Sequence, residues 1–220
     1  MEMKDSGVAW LGQVPGHWEI KKLKLVADLQ TGLTLGQKYD SQPTVRRSYL
    51  RVANVQDGYL DLSDVIDIDI PAEKANRHEL KWGDVLMTEG GDFDKLGRGY
   101  VWESQIDQCL HQNHIFAVRP NPAYLDSYFL AALLKSFHGK HYFTSTSQQT
   151  TNLATTNATK LKAFPVLLPP VAEQKEILLY LDKQTNRLDG LISKVRTAIA
   201  RLREYRAALI SAAVTGKIKV

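Results

Sequence analysis

The feature that most restricts this chain is a run without a break. After Pro170 there is no proline, and only two glycines follow Gly139, Gly190 and Gly216. A stretch rich in Ala, Leu, Arg and Lys with neither breaker predicts one long helix. Its apolar residues fall at Leu181, Leu188, Leu191, Val195, Ala198, Leu202, Tyr205 and Leu209, alternating steps of three and four from Leu188 onward. That is a 3.5-residue repeat, the spacing of a coiled-coil seam, with Gln184 as a polar member and Ile192 and Ile199 widening the stripe. From about Glu173 to Ser211 such a helix is ~60 Å long. A seam of that length is hard to bury on one compact domain, so it calls for a partner helix; a helix packed on its own domain is the competing reading.

Charge divides at the same place. Residues 1–171 hold 18 Lys and Arg against 19 Asp and Glu, whereas residues 172–220 hold 10 against 5. The 220-residue chain is globular in composition, and its longest apolar runs fall far short of the ~20 residues that span a bilayer. The first residues carry acids and no apolar run, unlike a secretory signal. A lone cysteine, Cys109, excludes an internal disulfide framework and suits a reducing cytoplasm.

Residues 1–165 read as mixed α/β. Tyr49–Val55 and Tyr59–Leu62 flank an Asp57-Gly58 turn, and Ile66–Ile70 alternates as a half-buried strand should. Asp84–Thr88 predicts a strand ending in a Gly90-Gly91 turn. Asn121-Pro122 predicts the start of a helix over Tyr124–Phe137, with Gly139 as its stop. The polar tract Ser145–Asn157 reads as a loop. The expected organisation is an α/β (α+β) globular domain over 1–165, a Pro-rich linker over 166–172, and one long coiled-coil helix and tail over 173–220.

Catalytic signatures are missing. There is no Walker A motif, no Gly-x-Ser-x-Gly elbow, no His-Glu-x-x-His and no Cys-x-x-Cys. Gly97-Arg98-Gly99 starts a dinucleotide-like pattern, but Trp102 stands where the third glycine belongs. Cys109, His111 and His114 suggest zinc, yet on a strand 114 points away from 109 and 111, so the expectation is no metal. Glu173-x-Lys175 matches the end of a nuclease carboxylate motif without its upstream Pro-Asp; at a helix start Glu173 is better explained by the N-terminal dipole.

Several stretches together resemble the specificity subunits of type I DNA restriction-modification systems. They are Asp5–Gly12 with Pro15–Glu19, Tyr49–Val55 with Asp57-Gly58, Gly83–Leu86 with Gly90-Gly91 and Gly97-Arg98, Leu167–Gln174 followed by Ile177, and Leu209–Ile218. The resemblance runs nearly end to end. It implies a target-recognition domain that reads a short DNA half-site, followed by a spacer helix, in a chain that is itself non-catalytic. It also implies partner methyltransferase subunits that bind S-adenosylmethionine, and a restriction subunit that uses ATP with Mg²⁺. A full subunit of this family repeats the unit twice, whereas this sequence has it once. A half-subunit restores the arrangement of two paired helices by homodimerising through an antiparallel coiled coil, reading a palindromic, gapped site, whereas a fragment of a two-unit subunit would belong to an asymmetric target.

Base reading needs Arg for guanine and Asn or Gln for adenine, with cations for phosphates. The candidates are Arg46 and Arg47; Lys95 and Arg98; His111, Gln112 and Asn113; and Gln148, Gln149, Thr150 and Asn152. For each, a solvated loop residue is the competing reading. Arg51 and Asn54 are as well explained by scaffold bonds, and Trp10, Trp18, Trp82 and Trp102 by core packing. The rival function is an interaction protein that occupies a methyltransferase through its long helix without reading DNA.

Overall fold

The computed structural model describes residues 2–37, 39, 42–91, 96–149 and 154–218. In chain order the strands and helices are β1 (Met3–Asp5), β2 (Gln13–Pro15), β3 (Glu19–Lys22), β4 (Ala27–Thr31), β5 (Thr44–Leu50), β6 (Ile66–Pro71) and α1 (Ala72–His78). There follow β7 (Val85–Thr88), β8 (Gly90–Gly91), β9 (Gly99–Val101), β10 (Leu110–His111), β11 (Ile115–Pro120), α2 (Ser127–Lys135) and α3 (Phe137–Thr146). The chain closes with β12 (Gln148–Gln149), β13 (Ala154–Thr155), α4 (Ala158–Ala163), β14 (Pro165–Leu168) and α5 (Val171–Val214). It divides into two units, Met1–Lys175 and Glu176–Val220.

A four-stranded sheet in the order β4-β11-β7-β9 organises the first unit. All four residues of β7 are buried, so both faces of the sheet are covered. On one face Leu86, Ile115 and Ala117 pack with Leu50, Trp102 and Cys109. Helix α2 packs on the sheet through a side bearing Phe129, Leu130, Leu133 and Leu134. A second sheet, β10-β5-β6, closes a smaller core of Leu33, Tyr49, Ile70, Ala75 and Leu110.

Strands Ile66–Pro71 and Val85–Thr88 form where the alternation and the apolar run place them. Several boundaries differ. The strand near Tyr49 is Thr44–Leu50, and Val52–Asn54 is a 3₁₀ turn locked by Asn54 Oδ1, which accepts from the Arg51 N–H at 2.7 Å. Asn121 makes a local turn, accepting from the Ala123 N–H; the helix starts at Ser127, capped by Asp126 Oδ1 from the N–H groups of Tyr128 and Phe129. Gly139 is no stop. It lies inside α3, where a Cβ would sit 2.3 Å from the Leu134 carbonyl oxygen, so only glycine lets α3 start this close to the end of α2. The tract 145–157 is not wholly a loop, because Gln148–Gln149 and Ala154–Thr155 pair as strands. Gly90–Gly91, expected as a turn, is a strand paired with β13.

The stretch 166–172 is not a linker. Pro165–Leu168 pairs antiparallel with β3 and buries Val166, Leu167 and Leu168, while α5 already begins at Val171. Pro165 opens the strand, a position where its missing N–H is tolerated. Helix α5 runs 44 residues and ends in a Schellman turn: Gly216 has φ +69°, the Lys217 N–H reaches the Ala212 oxygen at 2.8 Å, and the Gly216 N–H reaches that of Ala213 at 3.2 Å. The apolar residues of the seam are exposed, Leu202 by 66% and Tyr205 by 67%. Among the described residues no helix is long and apolar enough to cross a membrane.

Candidate nucleic-acid interface

The central sheet has two unlike ends. At one, β4 finishes at Thr31, β7 at Thr88, and β11 and β9 begin at Ile115 and Gly99. The loops leaving this end are stitched into a ridge by backbone bonds. The Leu33 N–H donates to the His111 oxygen, Asn113 to Leu33, Glu89 to His114, and Thr156 to Glu89, at 2.8–3.0 Å. Strand β13 continues the ridge from Gly90–Gly91 to Gln148–Gln149. Gly32 is required here: a Cβ would lie 2.2 Å from the His111 oxygen, so a side chain would break the ridge.

This ridge gathers some of the candidate readers. Asn113 is half-buried, with Nδ2 3.4 Å from His114 Nε2, and Gln148 is exposed on β12. Gln112 is on the ridge but partly committed to scaffold, since its Oε1 accepts from the Val52 N–H at 3.2 Å. Arg98 sits beside it, its carbonyl accepting from the Thr88 N–H. The side chain of Gln149, and Lys95, Thr150 and Asn152 as a whole, lie outside the described residues.

His111 is corrected. It is fully buried, its Nδ1–H donates to the Ile115 oxygen at 3.0 Å, and its Nε2 takes a 3.3 Å contact from Gln30 Nε2, which also donates to the His78 oxygen. A ring so enclosed cannot touch a base. Burial pushes its pKa down to about 4, with His78 and Arg119 adding to the effect. Cys109 and His114 do not join it, since Leu110–His111 and Ile115–Pro120 belong to different sheets. Arg46 and Arg47 stand on β5 of the second sheet; Arg46 is paired with Asp67 at 3.2 Å, and Arg47 donates to the Arg46 carbonyl oxygen.

Two cations escaped the sequence reading. Lys135 at the end of α2 and Lys140 in α3 are exposed and line a cleft with Arg98, Gly97, Gly99 and Asp57. Nothing local in the sequence marks them; the break at Ser136 between two helices brings them to one side. His114 and Glu89 form another exposed pair, Nδ1 to Oε2 at 2.6 Å, which could present an acceptor to cytosine. Arg51 and Asn54 are scaffold, joined to Asp64 and Asp61. Of the four tryptophans Trp102 is core, Trp10 and Trp18 are half-buried, and Trp82 is 65% exposed, contrary to the core expectation.

At the opposite end of the sheet, the segment 121–126 meets the first turn of α5. Gln174, fully buried, donates to the Tyr124 and Pro169 oxygens at 2.8 and 2.9 Å and accepts from the Asp126 N–H at 2.9 Å. Glu173 Oε1 accepts from Trp18 Nε1 at 3.0 Å, and Oε2 lies 2.8 Å from His17 Nε2. The bonds from His17 and then Trp18 hold the Glu173 carboxyl below its ordinary pKa.

Residues 15–201 match the family model described as the type I restriction modification DNA specificity domain. The chain is 28% identical over 186 residues to the putative type I restriction enzyme MjaX specificity subunit of Methanocaldococcus jannaschii, covering 84% of this chain and 43% of that protein. It is 24% identical over 218 residues to the type I restriction enzyme EcoKI specificity subunit of Escherichia coli K12, covering 95% and 45%. It thus spans less than half the length of these curated relatives. Among solved structures, the HsdS subunit from Thermoanaerobacter tengcongensis superposes with a TM-score of 0.64 at 18% identity, over 92% of this chain and 50% of that one.

Proposed function

From a chain that belongs to the family of type I restriction modification DNA specificity domains, we propose a protein that reads one half of a bipartite duplex target and brings modification and restriction subunits to it. The observation that carries the reading is the ridge. One end of a rigid sheet presents amide side chains at Asn113 and Gln148 next to a cleft of Arg98, Lys135 and Lys140. Amides suit adenine edges and the cations suit phosphates. Lys95, Gln149, Thr150 and Asn152 extend the proposed reading surface, and Gln112 steadies it.

The second element of the proposal is the exposed seam of α5. Its apolar residues pair with those of a second copy as an antiparallel coiled coil, giving a twofold dimer with identical reading surfaces and a palindromic target. At 1.5 Å per residue the 44-residue helix is ~66 Å long, close to two turns of B-DNA at ~34 Å each. The chain carries no chemistry itself; S-adenosylmethionine, ATP and Mg²⁺ belong to the partner subunits, in the cytoplasm.

The test is a single-molecule methylation map of DNA from a methylation-free host that expresses this chain with the methyltransferase encoded beside it. Methyladenine in a palindromic, gapped motif is the expected result. An asymmetric motif sinks the homodimer, and no motif at all favours an interaction protein that does not read DNA.

A further inference from the structure

Asn113 and His114 form the tip of the turn that joins β10 to β11. Backbone bonds hold this tip from three sides. The Ile115 N–H closes the turn onto the Gln112 oxygen at 2.9 Å, the Asn113 N–H reaches the Leu33 oxygen at 3.0 Å, and the Glu89 N–H reaches the His114 oxygen at 2.9 Å. The side chains add a relay of two hydrogen bonds: Glu89 Oε2 lies 2.6 Å from His114 Nδ1, and His114 Nε2 lies 3.4 Å from Asn113 Nδ2. A carboxylate offers only acceptors, so Nδ1 carries the ring hydrogen. The neutral ring then keeps its lone pair at Nε2, where it can only accept. The Asn113 amide accordingly turns its nitrogen toward the ring, which leaves one N–H and the Oδ1 oxygen for another partner.

A donor beside an acceptor matches adenine, which shows N7 and an N6 amino group in the major groove. Guanine shows N7 and O6, two acceptors, and asks for two donors. With the ring hydrogen at Nε2 instead, Oδ1 would turn inward and both amide hydrogens outward, an arrangement suited to guanine. We propose that Glu89 and His114 are positioning residues that make Asn113 a reader of adenine. The carboxylate sets the tautomer, the tautomer sets the amide, and the amide sets the base. This rests on the DNA-reading function proposed above. The His114 side chain is 56% exposed and that of Glu89 30%, so the pair contributes little to stability. Truncating either side chain leaves the backbone bonds of the turn in place.

The experiment repeats the methylation map with variants at these three positions. Asn113→Ala should admit any base at one position of the half-site, where wild type should require adenine. Glu89→Ala lets the ring carry its hydrogen at either nitrogen. It should admit both purines at that position, cutting the lead of adenine over guanine by about tenfold, with the rest of the motif unchanged. His114→Ala should do the same. Because Glu89 acts through the ring, adding Glu89→Ala to His114→Ala should change nothing further. Melting temperatures should stay within about 4 °C of wild type. The proposal is overturned if Asn113→Ala relaxes no position or one where wild type requires another base, if Glu89→Ala keeps adenine alone, or if its effect adds to that of His114→Ala. A larger fall in melting temperature with several positions relaxed together would make the pair a support of the fold, and overturn it too.

The tautomer itself, read in the free chain, separates this from failure of DNA reading. Long-range proton–nitrogen NMR correlations in mildly alkaline buffer, with the His114 signals assigned by their loss in His114→Ala, should place the hydrogen at Nδ1 in wild type. In Glu89→Ala it should move to Nε2 or exchange between the two nitrogens. A hydrogen at Nε2 in wild type overturns the proposal even where a motif is found. A hydrogen at Nδ1, with no motif from wild type, removes the DNA-reading function and the base assignment with it.

Discussion

Asp84 carries a carboxylate into a place without solvent, and its partner decides whether that is tolerable. Arg119 meets it with two parallel bonds of 2.7 Å, the Lys81 N–H supplies a third at 2.8 Å, and the arginine side chain keeps 32% of its exposure. Breaking such a pair from one side leaves a charge without its counterpart. Asp84→Asn should therefore cost about 3 kcal/mol and lower the melting temperature by about 5–10 °C; a thermal shift under 2 °C would show that Arg119 finds solvent unaided. His111 makes a second residue-scale case. Its ring is neutral in the fold with a pKa near 4, against an ordinary 6.5. The unfolded chain therefore binds the extra proton first, and stability present above pH 6.5 is lost as pH falls toward 4. The loss from this group is about 3 kcal/mol. His138 acts in the same sense: burial lowers its pKa, and its Nδ1 is occupied as acceptor from the Trp10 indole at 3.0 Å. Urea midpoints measured between pH 7.5 and 4.5 should fall less steeply in His111→Gln than in wild type. Parallel curves would mean that the ring takes up its proton as readily in the folded chain as in the unfolded one.

Among the elements, α5 was the most legible and the 111–114 turn the least. A heptad is a local pattern, and a helix without breakers needs no tertiary help to be recognised. Its end was read at about Ser211, three residues short of Val214. The Leu110–Ile115 stretch reads as one continuous strand because nothing in its own residues says that β10 pairs in parallel with β5 while β11 joins another sheet. The bond from the Val52 N–H to Gln112 spans 60 positions, and no window of sequence contains both. The role of Gly139 was misread for the same reason, because its neighbours in space are carbonyls of the preceding helix. The seam of α5 carries its own prediction. An aspartate at Leu202 would put a charge where the proposed partner helix packs, so Leu202→Asp should convert a dimer to a monomer in solution. Sedimentation of both chains checks it, and an unchanged mass would refute the pairing.

For the whole molecule, the balance of charge becomes meaningful only once it is placed. Residues 1–171 are nearly neutral, 18 cations against 19 acids, yet the acids at Asp67 and Asp69 line β6 while Lys135 and Lys140 meet Arg98 beside the ridge. A near-zero sum thus conceals a local basic cleft, which composition could not reveal. If Lys135 and Lys140 contact phosphates, replacing either by Ala should weaken binding about equally on all DNA sequences and reduce the slope of log affinity against log salt by about 1. Asn113→Ala or Gln148→Ala should instead relax preference at one base position, by about 1–3 kcal/mol, with the slope unchanged. Titrations of the assembled complex at several salt concentrations distinguish the two classes. Should all four variants lose the same slope, the division between phosphate and base contacts fails.

The two unlike ends of the central sheet also bear on how such a protein can change over generations. Segments 32–34, 89–91, 111–114, 148–149 and 154–156 gather at one end, while 121–126, Pro169 and Gln174 meet at the other, with the buried strands β7 and β11 separating them. Substitutions at the first end need not be felt at the second. A lineage could acquire a new target while retaining its old companions, and an exchange of segments at the Pro169–Pro170 junction would transplant a reading surface whole.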